Sequence, residues 1–303
     1  MSRSYVWMLA FLAAVWGASY LFIKVAVDEI EPAAMMFFRL VIAAALLVPF
    51  VLVLEGVGPG LRSLARAWRP GLVLGTVNAA VPFTLIAWGE KHIDSGVAAI
   101  ANATVPLFVI LLAIRYRPSE RATGTRLAGV LLGLIGVAVL AGAQPDGGWW
   151  AVAGTLAVVV ASLAYAVGGL YGQGKAGAVS APVLATATVV GGALVLLPFA
   201  LLQLPDQVPG WKASASVAAL AVAGTALAQI LVFRMLRLHG AARLSLVTYL
   251  LPVTAIAYGV LLLDEQLSAG TLAGLALILP GVALGSGAVR LPRREPEPAS
   301  PPA

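Results

Sequence analysis

Charged and turn-forming residues divide positions 5–289 into ten apolar stretches, each of about 20 residues. They run at about 5–27, 33–54, 70–89, 95–115, 125–143, 150–171, 181–203, 214–235, 241–263 and 269–289. A helix of that length crosses a hydrocarbon core of roughly 30 Å. Backbone polar groups left unpaired in lipid are too costly for an irregular chain, so such stretches are expected to be helical. The expected fold is an all-α integral membrane protein with ten transmembrane helices. Composition agrees, with 61% hydrophobic residues and only 11% charged, where a soluble chain carries about a quarter charged residues. The first stretch imitates a secretory signal. It is too long for one, and Trp16, Tyr20 and Lys24 spoil the cleavage context, so it is read as a retained helix. The charged, Pro-rich residues 290–303 are read as a disordered tail.

Orientation follows the cations. With an inside N-terminus, fifteen of the 19 Lys and Arg fall on cytoplasmic segments. They cluster at Arg62, Arg66 and Arg69, at Arg115, Arg117, Arg121 and Arg126, and at Arg234, Arg237 and Arg243. Nine of the 13 acids, including Glu31, Glu90 and Glu265, fall outside. Reversing the chain or deleting one span destroys this sorting. Both termini are therefore expected in the cytoplasm, and the +6 net charge is a topology signal, with no nucleic-acid partner implied.

The chain also repeats itself. Glu120, Leu127-Ala128-Gly129 and Gly136 recur 145 positions later as Glu265, Leu272-Ala273-Gly274 and Gly281. Val105-Pro106 recurs 146 positions later as Leu251-Pro252. Five spans per copy is an odd number, so the copies face opposite ways. This reading gives two inverted five-helix repeats, residues 1–143 and 144–289, the architecture on which secondary transporters build alternating access. Duplication kept only for stability is the other reading.

Several of these residues resemble a known family. Trp16-Gly17-Ala18-Ser19-Tyr20 with Lys24, Pro32 followed by Arg39, and the pairs Pro106/Glu120 and Pro252/Glu265 resemble the EamA-type branch of the drug/metabolite transporter superfamily over about residues 5–289. Within that branch the chain is similar to the YddG-type amino-acid exporters. The resemblance implies ten helices in two inverted halves and export of small metabolites across a bacterial inner membrane.

Candidate site residues come from what lipid does not tolerate. Lys24 and Arg39 are the basic residues inside the spans, both toward the outer mouth. One reading, favoured because neither is at the midplane, has them snorkel and pair with Asp28, Glu29 and Glu31. In the other, one attracts a substrate carboxylate. Asn78, Asn102, Gln229 and Tyr249 lie mid-span and need partners. Trp16, Ser19, Tyr20, Tyr165, Thr248 and Tyr258 add hydroxyls and aromatic faces at similar depth. Such a set suits a cavity that binds a zwitterion's charged ends and accepts its apolar side chain. Taken singly, each is as well explained as interhelical glue. Trp88 reads as part of an aromatic belt. Pro82, Pro106 and Pro252 are expected to kink their helices. Glycine pairs such as Gly129/Gly133 and Gly281/Gly285 permit close helix contact and leave the oligomeric state open.

The leading expectation is export of aromatic, apolar or small neutral amino acids, with efflux of other metabolites or lipophilic drugs as the alternative. No cofactor is expected, since zero Cys and two distant His offer no metal-ligand spacing. The spans lack the clustered Asp, Glu or His that a membrane enzyme needs, and no phosphate-cradling loop is present. With no acid at mid-span, the expectation is export down a gradient, or coupling through a group the sequence does not identify.

Overall fold

In the computed structural model the described residues are 3–116, 124–142, 148–174, 179–239, 244 and 247–285. The tail 290–303, Glu120 and Asp146 lie outside them. Every element there is helical. Two helices open the chain, α1 (Arg3–Ala26) and α2 (Pro32–Glu55), followed by a short amphipathic α3 (Val57–Arg66). Next come α4 (Trp68–Gly75) and α5 (Val81–Glu90), joined without a turn by a π-helical segment, Thr76–Ala80. The chain continues through α6 (Ser95–Asn102), α7 (Val105–Tyr116), α8 (Thr125–Ala141), α9 (Gly148–Gln173) and α10 (Ala181–Leu201). A second π segment, Val222–Leu227, joins α11 (Trp211–Ala221) to α12 (Ala228–His239), and α13 (Val247–Leu262) and α14 (Ala269–Gly285) complete the fold.

Among the described residues seven helical stretches are long and apolar enough to span a membrane, and α8, α13 and α14 are shorter apolar helices of 10–17 residues. Large apolar side chains such as Trp7, Val53, Leu202 and Leu261 stand exposed around the bundle. In water such a surface would aggregate, but it is what a lipid-facing surface requires.

Packing is reciprocal between the two halves. Residues 68–90 pack on α9 and α10, and residues 211–239 pack on α1 and α2. Helix α7 lies against α9, and α13 against α1. The pairs α2 with α10, α6 with α13, and α8 with α14 are their own counterparts. The two π segments obey the same relation, starting 146 residues apart at Thr76 and Val222. A π segment is one extra residue in an α-helix, and it re-aims the side chains around it.

Pro82 follows directly on the first π segment, and Pro106 follows a break at Ala103-Thr104 between α6 and α7. Pro252, by contrast, lies inside a continuous α13. Helices α8 and α14 meet through glycines: a Cβ on Gly281 would stand 2.6 Å from the Gly133 nitrogen and 2.8 Å from the Gly129 oxygen. Backbone-to-backbone contact of this kind needs residues with no side chain.

At one end of the bundle, polar contacts tie the turns together. Lys24 Nζ donates to the main-chain oxygens of Glu90 (2.7 Å) and Ile93 (2.9 Å). Glu265 accepts from Ser95 N (2.8 Å), Ser95 Oγ (2.9 Å) and Gly96 N (3.2 Å), so the turn before α14 is fastened to the start of α6. Its predecessor Asp264 adopts φ of 55°, an uncommon backbone for a non-glycine residue. Lys91 pairs with Glu31 at 2.7 Å, and the Gly210 amide donates to Glu29. The expected pairing of Lys24 with Asp28, Glu29 and Glu31 therefore does not form. Two carbonyls at the turn after α5 lie within reach of its amine, while Glu29 and Glu31 are engaged by other donors.

Candidate substrate cavity

The two π segments, α1, α2, α5, α6, α9, α12 and α13 line a cavity of about 360 Å³, within the range of small-molecule sites. Of the residues singled out in the sequence, Trp16, Ser19, Tyr20, Asn78, Asn102, Tyr165 and Gln229 line it. Asn102 Nδ2 donates to the Tyr20 hydroxyl at 2.8 Å, and Ser162 donates to Asn102 Oδ1 at 3.2 Å. This fixes both polar side chains in the wall. Asn78 Oδ1 is buried without a partner among the described residues.

Thr248, Tyr249 and Tyr258 are not among the lining residues, and α13 contributes Leu251 instead. For the two tyrosines helical phase explains this. Two residues from Leu251, Tyr249 is turned about 200° around the helix, and Tyr258 shares the face but lies roughly 10 Å further along the axis.

Arg39 corrects the expectation for the outer mouth. Its side chain is 5% exposed and forms part of the cavity wall. Nε donates to Thr225 Oγ1 at 2.9 Å, and Thr225 donates in turn to Leu220 O at 3.0 Å across the second π segment. The guanidinium lies 4.0 Å over the Phe83 ring, a cation–π arrangement strengthened by burial. Among the described residues no carboxylate pairs with Arg39; Nη1 meets Met36 Sδ at 3.9 Å, and Nη2 makes no hydrogen bond. A buried cation without a counter-ion is costly and calls for an anionic partner.

Phe83, Ile86, Ile23, Ala228 and Leu251 supply apolar wall, while Gly224 and Thr225 come from the second π segment. Sequence reading missed these residues. The repeat held a signal for the π-segment pair, because Asn78 shifted by 146 positions is Gly224.

Outside this cavity, near the latched end, His92 stacks on Trp150 (5.2 Å) and meets the Trp88 ring edge-on (4.8 Å). Partial burial, aided by Lys91 and Lys24, holds the His92 imidazole below its usual pKa. The stack is therefore of neutral rings at neutral pH.

Membrane-length apolar helices around a cavity of this size, with polar groups converging on it, define a multi-spanning membrane carrier. The EamA-like transporter family matches residues 3–142 and 152–286, and the chain belongs to it. An uncharacterized transporter of Archaeoglobus fulgidus is 26% identical, with 91% of this chain and 96% of that protein covered. The uncharacterized inner membrane transporter YedA of Escherichia coli is 28% identical over 85% of this chain and 82% of its own length. A protein of Streptantibioticus cattleyicolor named as a probable terminal-alkyne amino-acid exporter is 30% identical, over 45% of this chain and 44% of that one. A solved crystal structure shares the fold with a TM-score of 0.64 at 20% identity, covering 95% of this chain and 98% of its own.

Proposed function

We propose that this carrier exports amino acids, aromatic, apolar or small neutral, across a bacterial inner membrane by alternating access. The observation that carries the reading is Arg39, a buried guanidinium in the cavity wall with no protein counter-ion among the described residues. A substrate carboxylate supplies the missing charge through Nη2. Oxygens of Tyr165, Asn78 and Gln229 offer neutral acceptors to the ammonium end, and Trp16, Ile23, Ile86 and Leu251 receive the apolar side chain. Among the described residues no Asp or Glu lines the cavity, which sets this wall against lipophilic cations.

Seven long apolar helices and three shorter ones support a count of ten spans. Reciprocal packing and paired π segments support two inverted repeats, residues 1–143 and 144–289. The distribution of Arg supports cytoplasmic termini and makes the latched end the outer one. An inner-membrane relative and a relative named as an amino-acid exporter agree with the cargo and its membrane.

A counterflow panel of the twenty labelled amino acids in proteoliposomes tests this. Apolar and aromatic members are expected to exchange, and phenethylamine, which lacks the carboxylate, is not. Exchange of tetraphenylphosphonium with no amino acid exchanging overturns the reading.

A further inference from the structure

Glu90 closes α5 and has no exposed surface. Both of its carboxyl oxygens are buried, and neither has a hydrogen-bond partner among the described residues. The sequence counts it among the outer acids and carries no signal of its burial. A carboxyl serving only the fold would be paired or hydrated, because an ionised group with neither is among the costliest things a protein interior holds. A cation is therefore needed to discharge it. Hard metal cations require a cage of six or more oxygens, and the main-chain oxygens of Glu90 and Ile93 are already taken by Lys24. A proton needs one oxygen.

The charged and titratable groups around Glu90 come from three elements. Helix α1 brings Lys24 and Tyr20, and the turn before α14 brings Glu265. On its own turn Lys91 is paired with Glu31, and His92 is held between two tryptophans. From α2 and α9, Arg39 and Tyr165 line the cavity and act on Tyr20. Tyr20 belongs both to the cavity wall and to the surroundings of Glu90.

We propose that Glu90 is a proton-binding site that couples this carrier to the proton gradient. With the outer end open, water reaches the carboxylate, which takes up one proton. Neutralised, it is buried as Glu265 and Lys24 fasten the end. When the cavity opens inward, water reaches the carboxyl past Tyr20 and the proton leaves toward the cytoplasm, so that the carboxylate left behind is hydrated, one proton entering for each substrate exported. The coupling rests on the reading of the chain as an exporter, but the protonated carboxyl does not.

The infrared difference spectrum between purified wild type and Glu90→Gln in lipid at neutral pH decides the site without any substrate. A protonated-carboxyl C=O band belonging to wild type is expected. Carboxylate bands in its place overturn the proposal. For the coupling, efflux of labelled phenylalanine from loaded proteoliposomes is expected to be faster into acid than into neutral medium for wild type, with that acceleration lost in Glu90→Gln. Equal acceleration in both proteins overturns it. If no phenylalanine moves in either protein, the substrate assignment fails while the infrared result still decides the proton site.

Discussion

Arg39 and Lys24 look alike in the sequence, as basic residues near the outer ends of adjacent apolar runs. Distance from a span end was legible, but the rotation of α2, which turns Arg39 away from the acids and onto Thr225 and Phe83, was not. Asn78, Asn102, Tyr165 and Gln229 were legible for the opposite reason, since a polar group in a lipid-crossing helix has nowhere favourable to face except protein. Glu90 reads in the sequence only as one more acid of the outer side, and its burial was not legible because the neighbours around it, Lys24 and Glu265, lie 66 and 175 positions away. Replacing Arg39 with Gln keeps a polar side chain and removes the charge. A hydrogen bond to a charged group contributes about 1.5–3 kcal/mol. Half-saturation for a transported amino acid is therefore expected to rise roughly ten- to a hundredfold in Arg39→Gln, measured by counterflow. Unchanged affinity in a folded variant would show that the carboxylate binds elsewhere.

Among the elements, the boundaries of the long helices followed from apolar run length, whereas the internal breaks did not. Hydropathy has no term for one extra residue in a helix, so the π segments at Thr76–Ala80 and Val222–Leu227 were invisible, although the 146-residue offset already related their positions. Glycine spacing was more informative. The sequence offers Gly129/Gly133 and Gly281/Gly285 as separate close-contact pairs, and the fold brings the two pairs together as the seam between α8 and α14. At Gly281 the atoms in the way are backbone, which no rotamer change can clear. Gly281→Val should therefore destabilise the protein by about 1–3 kcal/mol or more, as overpacking does. Gly169 on α9 has nothing within 4 Å of an added Cβ, and Gly169→Ala should be neutral or mildly stabilising. Thermal unfolding of both variants in the same detergent checks the contrast, and equal melting temperatures would count against the seam.

For the whole molecule, alternating access requires the latched end to come apart during every cycle. That end joins residues from both halves, with Glu265 on Ser95 and Gly96, and Gly210 on Glu29. A rigid pore would need no such separation, and a covalent bond across the latch distinguishes the two. A Cβ built on Gly259 of α13 would lie 2.9 Å from Ser95 Oγ at the start of α6, close enough for the short Cβ separation a disulfide demands. The nearest obstacle is the far end of the Glu265 side chain, which can swing aside. The natural chain has no cysteine, so Ser95→Cys with Gly259→Cys introduces one possible bridge and no background. Because both substitutions disturb the Glu265 contacts, the informative comparison is within the double variant, oxidised against reduced. Oxidation is expected to abolish counterflow of a transported amino acid, and reductant to restore it. Full exchange with the bridge verified as closed would mean that substrate passes while this end stays shut, and the two halves would not be rocking about the cavity.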